Sequence, residues 1–292
     1  MAQTTRRKLH TRHGVLSLLL LLALLGVALL CRRNRRSRTL FPCLLAQPEA
    51  ADTLFTCTSF VTFPGKLQEL RRALRSFLAH NTSPRIREYL VVNEYDDDPT
   101  AHSSVAALRL EFPAVRFLHK SQDDRGQARS LNMILEHLRA RKYTYWIHWE
   151  ESWFCTGRMI DDALQVLDSS DLSQLSLEKN RWEWQGPRHE HLQYTDHPKH
   201  VHIQVRDVEA YKRRRAVPWY EDIVWWPLFS LRPGIDRVDH VLRAGTFDTS
   251  PAKWPVTFEY DFAHRWLAAG GDVGALRHGH VDRKPDHRST YA

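Results

Sequence analysis

The segment Trp149-Glu150-Glu151-Ser152-Trp153 joins an apolar run, Tyr143 to Trp149, directly to two adjacent acids. Carboxylates at the carboxyl end of a buried strand lie on the ligand side of an α/β sheet. As hard oxygen donors they suit Mg²⁺ or Mn²⁺, and such an ion grips phosphate oxygens in turn. Side chains two apart in an extended strand share a face, so Glu150 pairs with position 152. That position is Ser152, a weaker ligand, and Glu151 joins Glu150 only if the chain turns after Glu150. The cysteines carry no such chemistry. Cys43, Cys57 and Cys155 have no metal-ligand spacing, Cys57 lies in an apolar strand pattern that marks it as core, and Cys31 sits beside an apolar run where acylation is conceivable. Asn81-Thr82-Ser83 is a formal glycosylation sequon followed at once by Pro84.

The elements that position these residues alternate in type. Leu54 to Val61 reads as a buried strand, and Leu67, Leu70, Leu74, Phe77 and Leu78 then recur at helical spacing. Tyr89 to Asn93 is a second strand, followed by a helix through Val105, Leu108 and Phe112 that stops at Pro113. Val115 to Leu118 is a third strand. Arg125 to Leu138 is a helix with Asp123 or Asp124 as its N-cap. Tyr143 to Trp149 is the fourth strand, Ile160 to Leu167 a further helix and Gln174 to Glu178 a further strand. Repeated β-α units imply a parallel sheet with helices on both faces. The second half is less regular, with His- and Pro-rich loops over Arg188 to His202, an apolar stretch at Ile223 to Leu231 and a helix over Phe258 to Ala269 ended by Gly270-Gly271. All ten tryptophans fall between Trp146 and Trp266, where they fill the core or stack on sugar rings.

Ahead of this domain, Gly14 to Cys31 carries no charge and one hydroxyl, a length at the short end of what spans a bilayer. The reading is a basic cytoplasmic tail (1–13), a transmembrane signal-anchor (14–31), a basic flank and stem (32–52) and one large domain (53–292). A run longer than a usual signal core, ending in Cys31-Arg32-Arg33 without a small-residue site, speaks against cleavage. The chain holds 42 Lys and Arg against 34 Asp and Glu. The nine basic residues before Thr39 have no acid among them, and without them 33 basic residues face 34 acids. The domain itself is nearly neutral, so no nucleic acid is expected as a partner, and the flanks are placed to meet membrane lipid.

Taken in order, these pieces resemble a GT-A-fold glycosyltransferase dependent on a nucleotide-sugar, of the family-2-like kind, over roughly Leu54 to Tyr291. The resemblance begins with Thr58-Ser59-Phe60 and continues in Val91-Val92-Asn93-Glu94, like the acidic pair that contacts the nucleoside. Arg125-Gly126-Gln127-Ala128-Arg129-Ser130-Leu131-Asn132 is similar to the family's G-x-A-x-x-x-N helix. Glu150, Glu151 and Ser152 fall where the family carries its D-x-D metal motif. Phe229 to Gly234 looks like the acceptor-side segment. Phe258-Glu259-Tyr260-Asp261 opens a helix where the catalytic base is placed, and His280-Val281-Asp282 resembles an ending that supplies a third metal ligand. The resemblance implies a GT-A-like, Rossmann-type mixed sheet with flanking helices. It implies donor contacts from Ser59, Glu94, Arg125, Arg129 and Asn132, and Mn²⁺ or Mg²⁺ held by Glu150, Glu151, Ser152 and His280. Glu259 or Asp261 would deprotonate an acceptor hydroxyl, giving an inverting transfer. The partners implied are a nucleotide-sugar donor and a glycan or glycoprotein acceptor, in a single-pass type II protein of the Golgi or ER with its domain in the lumen.

Two other classes compete. Ser152 in the metal position motivates a tethered, non-catalytic carbohydrate- or nucleotide-binding module on a degenerate transferase fold. Paired carboxylates alone would also serve a hydrolase, which leaves the arginine-bearing helix without a purpose. Turnover of a nucleotide-sugar separates the first reading from both.

Overall fold

A computed structural model of the chain describes residues 51–61, 64–94, 99–178, 192–207, 228–250 and 257–283. The tail, the apolar run at 14–31 and nearly all of the stem lie outside them. Among the described residues no helix is long and apolar enough to cross a membrane.

Seven consecutive buried residues form strand β1, Thr53–Ser59. Pro64 opens helix α1, Pro64–His80, where its fixed φ and missing N–H cost nothing. There follow β2 (Ile86–Asn93), α2 (Pro99–Glu111), β3 (Val115–His119), a 3-10 turn at Gln122–Asp124, α3 (Gln127–Arg141) and β4 (Tyr145–Glu150). These give the β-α order that the periodicity implies. Asp123 and Asp124 do not cap α3, because both lie inside the 3-10 turn. The N-cap is Gly126, whose φ of 114° is open to glycine and strained for other residues.

Beyond β4 come β5 (Trp153–Cys155), α4 (Ile160–Asp168), β6 (Gln174–Ser176), β7 (Leu192–Asp196), β8 (His200–Val205), β9 (Gly234–Arg237), α5 (Val238–Arg243), α6 (Thr257–Ala268), β10 (Val273–Leu276) and β11 (Val281–Arg283). One sheet runs β3-β2-β1-β4-β9-β6-β10-β8-β7. Its first four strands are parallel. The parallel pairing expected of the β-α units holds through these four strands, and β9 then inserts antiparallel between β4 and β6. Its Ile235 is fully buried between Ile147 and Leu175, in a stretch too short to register as a strand in the sequence. The mixed sheet is the one that the family resemblance implies.

Each face of the sheet carries a core. On one, Phe77 of α1 and Leu164 of α4 pack with Phe55, Ile147 and Trp149. On the other, Leu131 and Leu135 of α3 and Phe262 and Trp266 of α6 pack with Leu54, Val92 and Trp146. Residues 147 and 149 therefore belong to one face, and 146, 148 and 150 to the other.

Candidate active site

Parallel pairing of β1 with β4 sets Thr58 beside Glu150 at the carboxyl ends of both strands. Glu150 is the last residue of β4, on the face covered by α3 and α6. Its carboxylate accepts from Gln127 Nε2 at the start of α3, at 3.0 Å, and from Trp153 Nε1 at 3.3 Å. Burial, the Glu151 charge and the Glu259 charge together push its pKa up to about 7. Glu150 and Glu259, 109 residues apart in sequence, thus act on each other electrostatically across one site. Glu259 lies in the first turn of α6, and its Oε1 accepts from the Leu231 backbone N–H at 2.8 Å.

The chain does turn at Glu151 and Ser152, as a metal pair would need, but the turn takes Glu151 the other way. It is buried and accepts from Lys66 Nζ of α1 at 3.3 Å. Lys66 also bridges Glu69 at 3.1 Å and is itself buried. A buried carboxylate is tolerated when a buried cation answers it, and this one is answered on the opposite side of the sheet from Gln127. His280 comes close in chain terms, since β11 pairs with β5 directly after the turn. Its carbonyl, however, accepts from Thr156, and its ring packs where a Gly157 Cβ would lie only 2.9 Å from it. Among the described residues, no three His, Cys, Asp or Glu side chains are grouped to hold a metal ion. The expected set of Glu150, Glu151, Ser152 and His280 is not assembled, because the two acids serve opposite faces of the sheet.

The expected donor contacts divide in the same way. Ser59 Oγ donates to Asn93 Oδ1 at 2.9 Å. Glu94 is buried and takes Lys120 Nζ at 2.8 Å and the Gly126 N–H at 3.0 Å. Lys120 spends its other donors on the Gly126 carbonyl and Ser130 Oγ. Asn132 exchanges two bonds with the Phe247 backbone, at 2.9 and 2.8 Å. These residues shape the floor and entry of α3 through internal bonds. Arg125 and Arg129 keep exposed positions at the same helix start, with Arg129 donating to the Asp123 carbonyl. Asp261, the other acid expected as a base, has a cationic partner on its own helix. It bridges Arg265 one turn on, at 3.0 Å, and Arg265 in turn reaches the Ala244 and Thr246 carbonyls.

Several residues of the site escape the sequence reading. His148 lies two residues before Glu150 on the same face, and neither ring nitrogen has a hydrogen-bond partner. Burial lowers its pKa to about 3, so the ring is neutral. Arg232 binds both oxygens of buried Glu178 at 3.0 Å, locking the Phe229 to Gly234 segment to the end of β6. The same segment is held by Gln174, which exchanges bonds with the Ser230 backbone. Arg283 of β11 is exposed, sits 5.5 Å from the Trp153 ring centroid and exerts its positive charge on Glu150. Lone basic residues in amphipathic or loop segments give no sequence signal for such roles.

No family model matches the chain, and no curated protein does. Among solved structures, the chain is similar to a crystal structure of GalNAc-T7 with UDP, GalNAc and Mn²⁺. The identity is 9% and the TM-score 0.54, over 83% of this chain and 46% of that one, so the chain spans less than half of the neighbour's length. With the mixed sheet described above, that likeness assigns the chain a GT-A-like fold.

Proposed function

We propose that the protein is a glycosyltransferase that moves a sugar from a nucleotide-sugar donor to a glycan or glycoprotein acceptor. The observation that carries this reading is that Glu150, the last residue of β4, and Glu259, in the first turn of α6, lie on the same face of a GT-A-like sheet, where the Glu259 charge helps to raise the Glu150 pKa. Coupled carboxylates in a partly dry site are where proton-transfer chemistry is expected. Glu259 accepts the proton of an acceptor hydroxyl as its oxygen bonds to the anomeric carbon. The bond from that carbon to the donor phosphate breaks, and the nucleoside diphosphate leaves with the electron pair. Attack opposite the leaving group inverts the anomeric centre. The hydrogen bond from the Leu231 N–H fixes the orientation of Glu259 and ties the base to the segment proposed to face the acceptor. The GalNAc-T7 structure contains Mn²⁺, but the described side chains of this chain do not fit a metal, and the steps above are carried by its own residues.

A second reading, a non-catalytic binding module, is favoured by the internal bonding of Glu94, Asn132 and Glu151. Incubating the purified full chain with a panel of nucleotide-sugars separates the two. Release of nucleoside diphosphate from one donor supports the transferase, whereas saturable binding with no release supports the module. For location, the apolar run at 14–31 supports a type II anchor in a Golgi or ER membrane with the domain in the lumen. Protection of the domain from protease in sealed vesicles is the outcome this proposes, and digestion would reverse the topology.

A further inference from the structure

The acids at the end of β4 are divided between two faces, and each already has a cation of the protein acting on it. Glu151 is neutralised by Lys66, with Glu69 as the third member of that buried cluster. Glu150 accepts from Gln127 and Trp153 and has Arg283 as its cationic neighbour. The edge of the site is basic as well. Arg125 and Arg129 are exposed at the start of α3, a helix of 15 residues whose N-terminus favours anions. Arg283 is exposed on β11, which β5 pins beside the Glu151-Ser152 turn. A diphosphate entering between β4 and α3 therefore meets guanidinium groups, whose planar forks match phosphate oxygens and need no ion between.

We propose that this chain binds a nucleoside diphosphate without a divalent cation, with Arg283 and the arginines at the start of α3 neutralising the phosphates. The inference rests on the nucleotide-sugar reading of the site and deepens it. Moving Glu151 into a metal shell would strip Lys66 of one of its two carboxylate partners and leave it to Glu69 alone, a loss that a cation at the site edge must first offset.

The test is equilibrium binding of UDP, GDP, ADP and CDP to the purified full chain, in EDTA and then in millimolar Mn²⁺. The expected result is that one diphosphate binds with affinities within about threefold in the two buffers, because the cations that neutralise its phosphates are covalent parts of the chain. Arg283→Ala should weaken that binding about tenfold in EDTA while leaving the melting temperature in place. A fold-independent control is the electron paramagnetic resonance of Mn²⁺ titrated with wild-type protein, which should show no stoichiometric site. Binding that appears only with Mn²⁺, or a stoichiometric Mn²⁺ site lost in Glu150→Gln, overturns the inference and keeps the nucleotide-sugar reading. No binding of any diphosphate in either buffer overturns both.

Discussion

Glu150 and Asn81 show how single side chains in this protein take their roles from burial. Glu150 has an ordinary carboxyl value near 4.5 that burial and two acidic neighbours raise to about 7. Between those values the folded chain holds a proton that the unfolded chain has released, so stability falls as pH rises through the window. We expect the wild type to lose on the order of 3 kcal/mol across it, and Glu150→Gln to flatten the slope. Denaturant melts at several pH values check this. Asn81, the acceptor of the sequon, is 4% exposed, and its amide is fully engaged. It donates to Cys155 Sγ and the Gly157 carbonyl, and accepts from the Met159 and Ile160 N–H groups that open α4. Asn81→Ala should cost about 2 kcal/mol by leaving buried N–H groups unpaired. The sequon should carry no glycan when the chain is expressed through a secretory route, as intact mass would report.

At the level of elements, the loop into α3 is the device that shapes the site. Gly126 takes φ 114°, its N–H binds Glu94 and its carbonyl binds Lys120, so one residue joins β2, β3 and α3. A Cβ at Gly126 would have no heavy atom within 4 Å, so Gly126→Ala is strained by its backbone alone. It should cost about 1–3 kcal/mol and lower ligand affinity by loosening Gln127 from Glu150, which thermal melts and binding isotherms would reveal. This scale also marks where sequence reasoning stops. The period of Leu70, Leu74 and Phe77 and the apolar run into Glu150 made the helices and the site strand legible. The N-cap of α3 was not, because a glycine that needs a positive φ looks like any other loop glycine. Nor was β9, whose strand character comes from Ile235 fitting between two neighbours already in place.

Over the whole molecule, two cores on opposite faces of one sheet explain why adjacent acids part company. Alternation along β4 commits Trp149 to one core and Trp146 to the other, and Glu150 and Glu151 follow the faces that those tryptophans set. The position of the acids was readable from the β-α order. Their separation depends on Lys66, whose burial no local pattern announces. Among the described residues, Glu259 is the proposed base whose charge acts on Glu150, while Asp261 pairs with Arg265. The most direct test is therefore the turnover of Glu259→Gln on the donor that the wild type uses. Glutamine keeps the acceptor for the Leu231 N–H and removes only the basic oxygen. The account predicts that kcat falls by about 10²- to 10⁴-fold with donor affinity unchanged. A kcat within about twofold of the wild type would remove Glu259 as the base and with it the proposed inverting transfer.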